Sequence, residues 1–462
     1  MPRKISRRNF LMGCSAAIAA MAGSRITNLA FAEPGAAGQF NEEVISVVFL
    51  RGGWDALNVV APIGGADRGH YQNARLNLKL PVSGQGAALN LGSLNGPNGQ
   101  TGFGLHPAMA PLHNLYQAQK LAIVHAAGLT SDTRSHFDAM QFMELGTPNQ
   151  KNTATGWLTR HLQTSPSISP NVLFPALSTG GSQAMSLLGT HDAVAMSDPG
   201  GFRLRGHWDY EDDQRGILRT FYNGDTILER AGTTTLDTID TIESLNPDQY
   251  TPANGAQYPG GSFGDNLQAI AQLIKLNVGL RAATVDLGGW DTHEYQGDGS
   301  GGYLNGRLNE LASGLAALYT DLDSGCPNYN SRTTMVVMSE FGRRLLENAN
   351  HGTDHGHGNC MFVLGGNVKG GRMYGAWPGL ASQQLYDGHD LAILTDYRRV
   401  LSEIITRRLN NGGNLATIFP NYTYPGPLDL VAGNDVVAPP PAPGPYRTYL
   451  PMVGRASTVV CP

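Results

Sequence analysis

Apolar positions along the chain follow two alternating patterns. The first is continuous: VISVVFL (Val44 to Leu50), LAIVHAAG (Leu121 to Gly128), NVLFPALS (Asn171 to Ser178), RAATVDLGG (Arg281 to Gly289), TTMVVMS (Thr333 to Ser339) and CMFVLGG (Cys360 to Gly366). Runs that are apolar at successive positions predict strands covered on both faces, as in a parallel sheet. The second has a helical period: Leu267, Ile270, Ala271 and Ile274, then Leu304, Leu308, Leu311, Leu315 and Leu318, then Tyr397, Val400, Leu401, Ile404 and Ile405, the last preceded by Thr395 as a cap. Strands alternating with helices predict an α/β fold, a doubly wound and mostly parallel sheet. Between Gly180 and Gly264 the sequence turns rich in Gly, Asp, Thr and Pro, and predicts an inserted loop-rich region or cap at 180–264.

The two ends read differently. RKISRRNFLMG sets Arg7 and Arg8 before an apolar stretch from Phe10 to Ala22, and LAFAEP offers Ala30 and Ala32 as a small-x-small cleavage pattern before Glu33. Residues 1–32 therefore read as a twin-arginine signal peptide, which makes the twin-arginine translocase a partner and the location periplasmic, extracellular or cell-surface. The apolar stretch is too short, and too rich in Ala, Gly and Ser, for a stable membrane span. Residues 33–435 form the α/β domain, 436–445 a stiff proline-rich linker and 446–462 a C-terminal tail. The 462 residues carry a net charge of −5 and only 15% charged residues, so no basic surface invites nucleic acid. Cys326, Cys360 and Cys461, left after the signal, are too few and too scattered for a disulfide framework or a zinc ribbon.

Polar residues gather where the predicted strands end, the edge at which open parallel sheets hold ligands. The first strand runs into Gly-Gly-Trp-Asp, ending at Asp55. The fourth runs into the same tetrapeptide, ending at Asp291, with His293 just beyond. SEFGRR brings Glu340, Arg343 and Arg344, and NHGTDHGHGN brings Asp354, His355 and His357. Carboxylates and imidazoles converging from separate strand ends are the ligand set of a divalent-metal hydrolase. After the second strand, GLTSDTRSHFDAMQF puts Arg134 and Ser135 at a predicted helix start. There a Ser135 oxyanion gains from the helix dipole, and there the same hydroxyl can equally serve as a helix cap.

In this order, FLRGGWDALN, RSHFDAM, TGWLTRHL, GGWDTH, SEFGRR and GTDHGHGN resemble domain-of-unknown-function family 1501, exported proteins placed in the alkaline phosphatase/sulfatase superfamily. The likeness runs from about Glu42 to Leu409. It implies an alkaline phosphatase-like sheet with one or two divalent metals (Zn, Mn, Ca or Mg) at the strand ends. By motif order Asp55 stands at the first-strand ligand, Asp291 and His293 at the mid-chain pair, and Glu340 at the later acidic ligand. His355 or His357 stands at the final histidine and Ser135 near the nucleophile. The chain departs from that superfamily in having Glu340-Phe341 where Asp-His is usual, and it lacks the Cys-x-Pro-Ser-Arg and Ser-x-Pro-Ser-Arg of formylglycine sulfatases.

The function expected from residues and resemblance together is an exported, metal-dependent hydrolase of phosphate or sulfate esters, small or polymeric. Arg134, Arg343 or Arg344 would hold the oxyanion. The alternative is a non-catalytic exported binding or assembly protein that keeps the fold. A serine hydrolase ranks last, because no Gly-x-Ser-x-Gly elbow is present.

Overall fold

The computed structural model describes residues 42–435 except 97–98, 167, 169–171, 173, 191–192, 205, 207, 225, 245–246 and 326–327. The expected signal, linker and tail, and Cys14, Cys326 and Cys461, lie outside the described residues. Cys360 is buried and free.

The strands in chain order are β1 (Val44–Leu50), β2 (Val60–Pro62), β3 (Leu89–Gly96), β4 (Gly99–Leu105), β5 (Leu121–Gly128), β6 (Ala176–Ser178) and β7 (Ala193–Ala195). There follow β8 (Ala282–Leu287), β9 (Thr333–Ser339), β10 (Arg343–Glu347), β11 (Thr353–His355), β12 (Asn359–Gly365), β13 (Arg372–Tyr374) and β14 (Thr395–Asp396). A 9-stranded sheet takes the order β13-β5-β12-β9-β1-β8-β6-β7, with β14 also paired to β5. The fold is mixed α/β around this largely parallel sheet.

Why the central strands read as unbroken apolar runs is visible in β1. Val44, Val48 and Leu50 enter one buried cluster, while Ile45, Val47 and Phe49 enter another on the opposite face. Helices α1 (His136–Leu145), α2 (Trp157–Thr164), α3 (Ser262–Lys275), α4 (Tyr303–Leu322) and α5 (Tyr397–Arg407) supply the layers. The stripes of α3 and α4 fill the first cluster; α1, α2 and α5 fill the second. Winding on both faces is thus a consequence of the sequence stripes.

Three expectations need correction. The strand beginning near Cys360 is not parallel: β12 runs antiparallel to both β9 and β5. A parallel return needs a crossover, usually a helix. The chain between β9 and β12 instead makes the two-stranded β10-β11 ribbon and re-enters from the same edge. That return is what leaves the histidine loop at the carboxyl ends of the parallel strands. Of the Asn171–Ser178 run, Ala176–Ser178 form the strand, and Val172, Phe174 and Pro175 stand outside it. The cap of α5 is Asp396, whose side chain accepts from the Arg398 N–H at 2.8 Å, while Thr395 pairs in β14.

The 180–264 segment contributes β7 to the sheet edge, and its helices Glu211–Phe221 and Ile227–Ser244 share a small core of Leu204, Leu218, Leu236 and Ile239. No helix among the described residues is long and apolar enough to cross a membrane.

Candidate metal centre

β1 and β8 are parallel neighbours, and each ends in Gly-Gly-Trp-Asp. Trp54 and Trp290 meet edge to face with ring centroids 5.8 Å apart, and both are fully buried. Gly52 sits at φ +125°, where a Cβ would come within 2.6 Å of the Asp291 backbone nitrogen. Only glycine fits there, and the close approach sets the Asp291 loop against the β1 loop.

Three imidazoles converge on Asp291. His293 Nε2 and His355 Nε2 each lie 3.0 Å from Asp291 Oδ1 and 3.0 Å from one another. His136 Nε2, from the head of α1, lies 3.4 Å from Asp291 Oδ2, is buried and makes no hydrogen bond. Among the described residues, His136, Asp291 and His355 form the one group of three or more His, Cys, Asp or Glu whose ligand atoms all fall within 4.8 Å. His293 lies beside this group, in contact with Asp291 and His355.

Each ring is held from behind. His136 Nδ1 faces Glu340 Oε1 at 2.7 Å, His293 Nδ1 faces Asp354 Oδ1 at 3.2 Å, and His355 Nδ1 faces the Arg134 carbonyl at 2.8 Å. An N–H on each Nδ1 satisfies those acceptors and turns three Nε2 lone pairs toward Asp291, the arrangement by which proteins orient metal-binding imidazoles. Two such nitrogens 3.0 Å apart repel unless a proton or a cation stands between them.

The charges follow the same logic. Burial acts to raise the Asp291 pKa, but Arg343, His355 and His293 outweigh it and hold the carboxyl down at about 2. For His136, burial acts downward and is outweighed by the hydrogen bond and charge of Glu340, with Asp291 adding to them, so the pKa is raised. Burial lowers His355, helped by the charges of Arg343 and His136.

The other expected site residues lie around this centre or apart from it. Asp55 is fully buried and turned inward. Its carboxylate pairs with the equally buried Arg75 and accepts from Gln296 Nε2 at 2.7 Å, so both oxygens are spent on an interior ion pair. Glu340 is also fully buried. Its Oε1 accepts from the Gly52 N–H at 2.8 Å and holds His136, and its Oε2 accepts from Ser339 Oγ at 2.9 Å, which makes it a backing residue rather than a member of the converging set. His357 stacks on Tyr386 at 4.0 Å, leaving His355 as the histidine of that pair in the cluster. Ser135 is exposed, precedes His136 and caps α1, its Oγ accepting from the Asp138 N–H at 3.5 Å.

Of the three expected oxyanion arginines, Arg134 and Arg343 are committed to carboxylates, and Arg344 lies with its Nε 4.0 Å from Asp390 Oδ1. The Arg134 guanidinium donates to the buried Asp390 at 2.6 Å. Arg343, 1% exposed, donates to Asp291 Oδ1 at 2.5 Å and to the carbonyls of Gly52, Gly53, Trp290 and Thr353, tying three loops together. His136 was not singled out in the sequence, although it lies between Ser135 and the helix stripe. The available signal was a histidine heading the helix that leaves the second strand at the ligand-bearing edge.

No curated protein matches the chain. A solved structure described as a protein in the alkaline phosphatase superfamily from Vibrio parahaemolyticus is 10% identical, the alignment covering 80% of this chain and 71% of that one with a TM-score of 0.31. The family that the ordered motifs resemble is found directly over the second half of the domain: residues 240–410, which include Asp291, His293, Glu340 and His355, match the family described as Protein of unknown function (DUF1501).

Proposed function

We propose that this chain is an exported metal-dependent hydrolase of phosphate or sulfate esters, whose metal is held by His136, Asp291, His293 and His355. One observation carries the reading: three imidazoles, each fixed through Nδ1, turn Nε2 toward one ionised carboxylate. Three nitrogens and one carboxylate favour zinc, and disfavour calcium and magnesium, which prefer oxygen ligands. A divalent cation there supplies Lewis acidity to a phosphoryl or sulfuryl oxygen.

The chain's own residues do the rest. Glu340 keeps His136 in one orientation, and Arg343 keeps Asp291 ionised. Ser135, one residue before His136 at the N-terminus of α1, presents a hydroxyl where the helix dipole stabilises developing negative charge, and we assign it as the nucleophile. Export rests on the Arg7-Arg8 signal, with the twin-arginine translocase as the partner that reads it.

The expected result is chelator-sensitive turnover on a panel of aryl phosphomonoesters, phosphodiesters and sulfate esters, with Ser135→Ala losing at least about 10³-fold in kcat and keeping its metal. Turnover indifferent to chelation and to Asp291→Ala would contradict the reading. The commitment of Arg134 to Asp390 and Arg343 to Asp291 favours a second reading, a non-catalytic exported metal-binding protein. Absence of turnover across the panel by a metal-loaded protein selects it.

A further inference from the structure

The ribbon of β10 and β11 supplies more of the metal centre than one imidazole. Arg343 of β10 donates to Asp291 and stands in register with His355 of β11. Asp354, the residue before His355, faces His293 Nδ1 at 3.2 Å. The turn of the ribbon also grips the backbone on both sides of His293. The Thr353 N–H donates to the Thr292 carbonyl at 2.9 Å, and those of Tyr295 and Gln296 donate to the Asn350 and His351 carbonyls at 3.0 and 2.9 Å. The fit leaves no room for a side chain at Gly352, where a Cβ would come within 2.2 Å of the His293 carbonyl carbon.

One side chain joins these contacts. Asn348 follows β10 directly, and all four hydrogen-bonding capacities of its amide are used. Its Oδ1 accepts from the N–H groups of Asn350 and Gly352 at 3.0 and 3.1 Å, which shapes the turn. Its Nδ2 donates to the His293 carbonyl at 2.8 Å and to Asp354 Oδ1 at 3.1 Å. Two N–H donors at one end and two acceptors at the other identify which end is oxygen. The oxygen therefore serves the turn, while the nitrogen serves the metal centre. It holds His293 by its main chain and holds the carboxylate that faces its ring. His293 is where such a hold counts most. The ligand atoms of His136, Asp291 and His355 already gather within 4.8 Å, and the His136 and His355 side chains are 21% exposed against 43% for His293. With less packing around it, the His293 ring depends on hydrogen bonds for its orientation.

We infer that Asn348 is a positioning residue of the metal centre, its Nδ2 latching His293 and Asp354 so that the His293 Nε2 stays turned toward Asp291. This role rests on the metal in the proposed function and not on ester turnover. Without the latch the most exposed imidazole turns away, and the ion leaves sooner.

Asn348→Asp separates the two ends of the amide, since it keeps the oxygen that shapes the turn and loses the donor; Asn348→Ala loses both. Zn²⁺ affinity of the full mature chain is measured by competition with a chromophoric chelator, and Zn²⁺ release by transfer to excess chelator. Thermal denaturation of the metal-free proteins is followed alongside. Asn348→Asp is expected to unfold near the wild-type temperature, yet to bind Zn²⁺ about 10–100-fold more weakly and release it faster. Asn348→Ala is expected to weaken binding in the same range and to lose stability as well. Asp354→Ala should also weaken binding, and adding Asn348→Ala to it should cost less than Asn348→Ala costs alone. Wild-type affinity in Asn348→Asp would reduce Asn348 to a turn residue and overturn the proposal, as would fully additive losses in the double variant. A wild type that holds Zn²⁺ but hydrolyses no ester, with the variants behaving as expected, keeps the latch and removes only the hydrolase. A wild type that holds no Zn²⁺ overturns both.

Discussion

The two Gly-Gly-Trp-Asp segments have the same four residues, follow adjacent parallel strands and bury their tryptophans against each other, yet their aspartates have opposite fates. Asp55 is fully buried and bound to Arg75; the Asp291 side chain is 46% exposed and surrounded by imidazoles. The register shows where they part. Leu50 pairs with Leu287, but Arg51 intervenes before Gly52, whereas Gly288 follows Leu287 directly. The second copy therefore stands one residue out of step with the first, and the two aspartates meet different neighbours. The inserted Arg51 then bonds to Glu144 and Asp286 rather than to either loop aspartate. Identical local sequence builds an interior ion pair in one place and an open site in the other.

Breaking the inward copy has the largest expected effect. Asp55→Ala leaves the fully buried Arg75 without its counter-ion, which costs about 3–5 kcal/mol. Chemical denaturation of the variant measures it, and a loss below about 1 kcal/mol, the worth of an exposed pair, would mean that Arg75 is not held as described. A smaller effect is expected at the junction of the two loops. Gly52→Ala forces a Cβ into a left-handed conformation and against the Asp291 backbone nitrogen, at about 1–3 kcal/mol. Because that contact positions the site, the variant should also bind divalent metal more weakly than wild type. Unchanged stability with unchanged metal affinity would remove the coupling between the loops.

The central strands and their flanking helices were legible because burial on both faces leaves an unbroken apolar signal, and because the stripes of α3, α4 and α5 are long. The direction of β12 was not legible, since a strand covered on both faces reads the same whichever way it runs; the ribbon that turns the chain back lies in polar residues without such a signal. Of the site, Asp291, His293 and His355 could be marked from strand ends alone. Asp55 could not be told from Asp291, because the difference lies in Arg75, 20 residues along the chain, and Gln296, 241 away. His136 was overlooked beside Ser135, and its role depends on Glu340, 204 residues distant. Long-range hydrogen bonds, not motifs, separate the carboxylate that faces the imidazole cluster from those turned to interior partners.

The outward copy carries the central claim. Asp291→Ala removes a half-exposed carboxylate and leaves the buried Arg343 its four carbonyl acceptors, so it should cost the fold less than Asp55→Ala does. The measurement is elemental analysis of the purified mature protein after dialysis against trace divalent metals, for wild type, Asp291→Ala, His136→Ala and Asp55→Asn. The account predicts one tightly held divalent ion per wild-type chain, loss of that ion in Asp291→Ala and His136→Ala, and its retention by Asp55→Asn wherever that protein is folded. A metal-free wild type, or metal kept by the first two variants and lost only with Asp55, would contradict it.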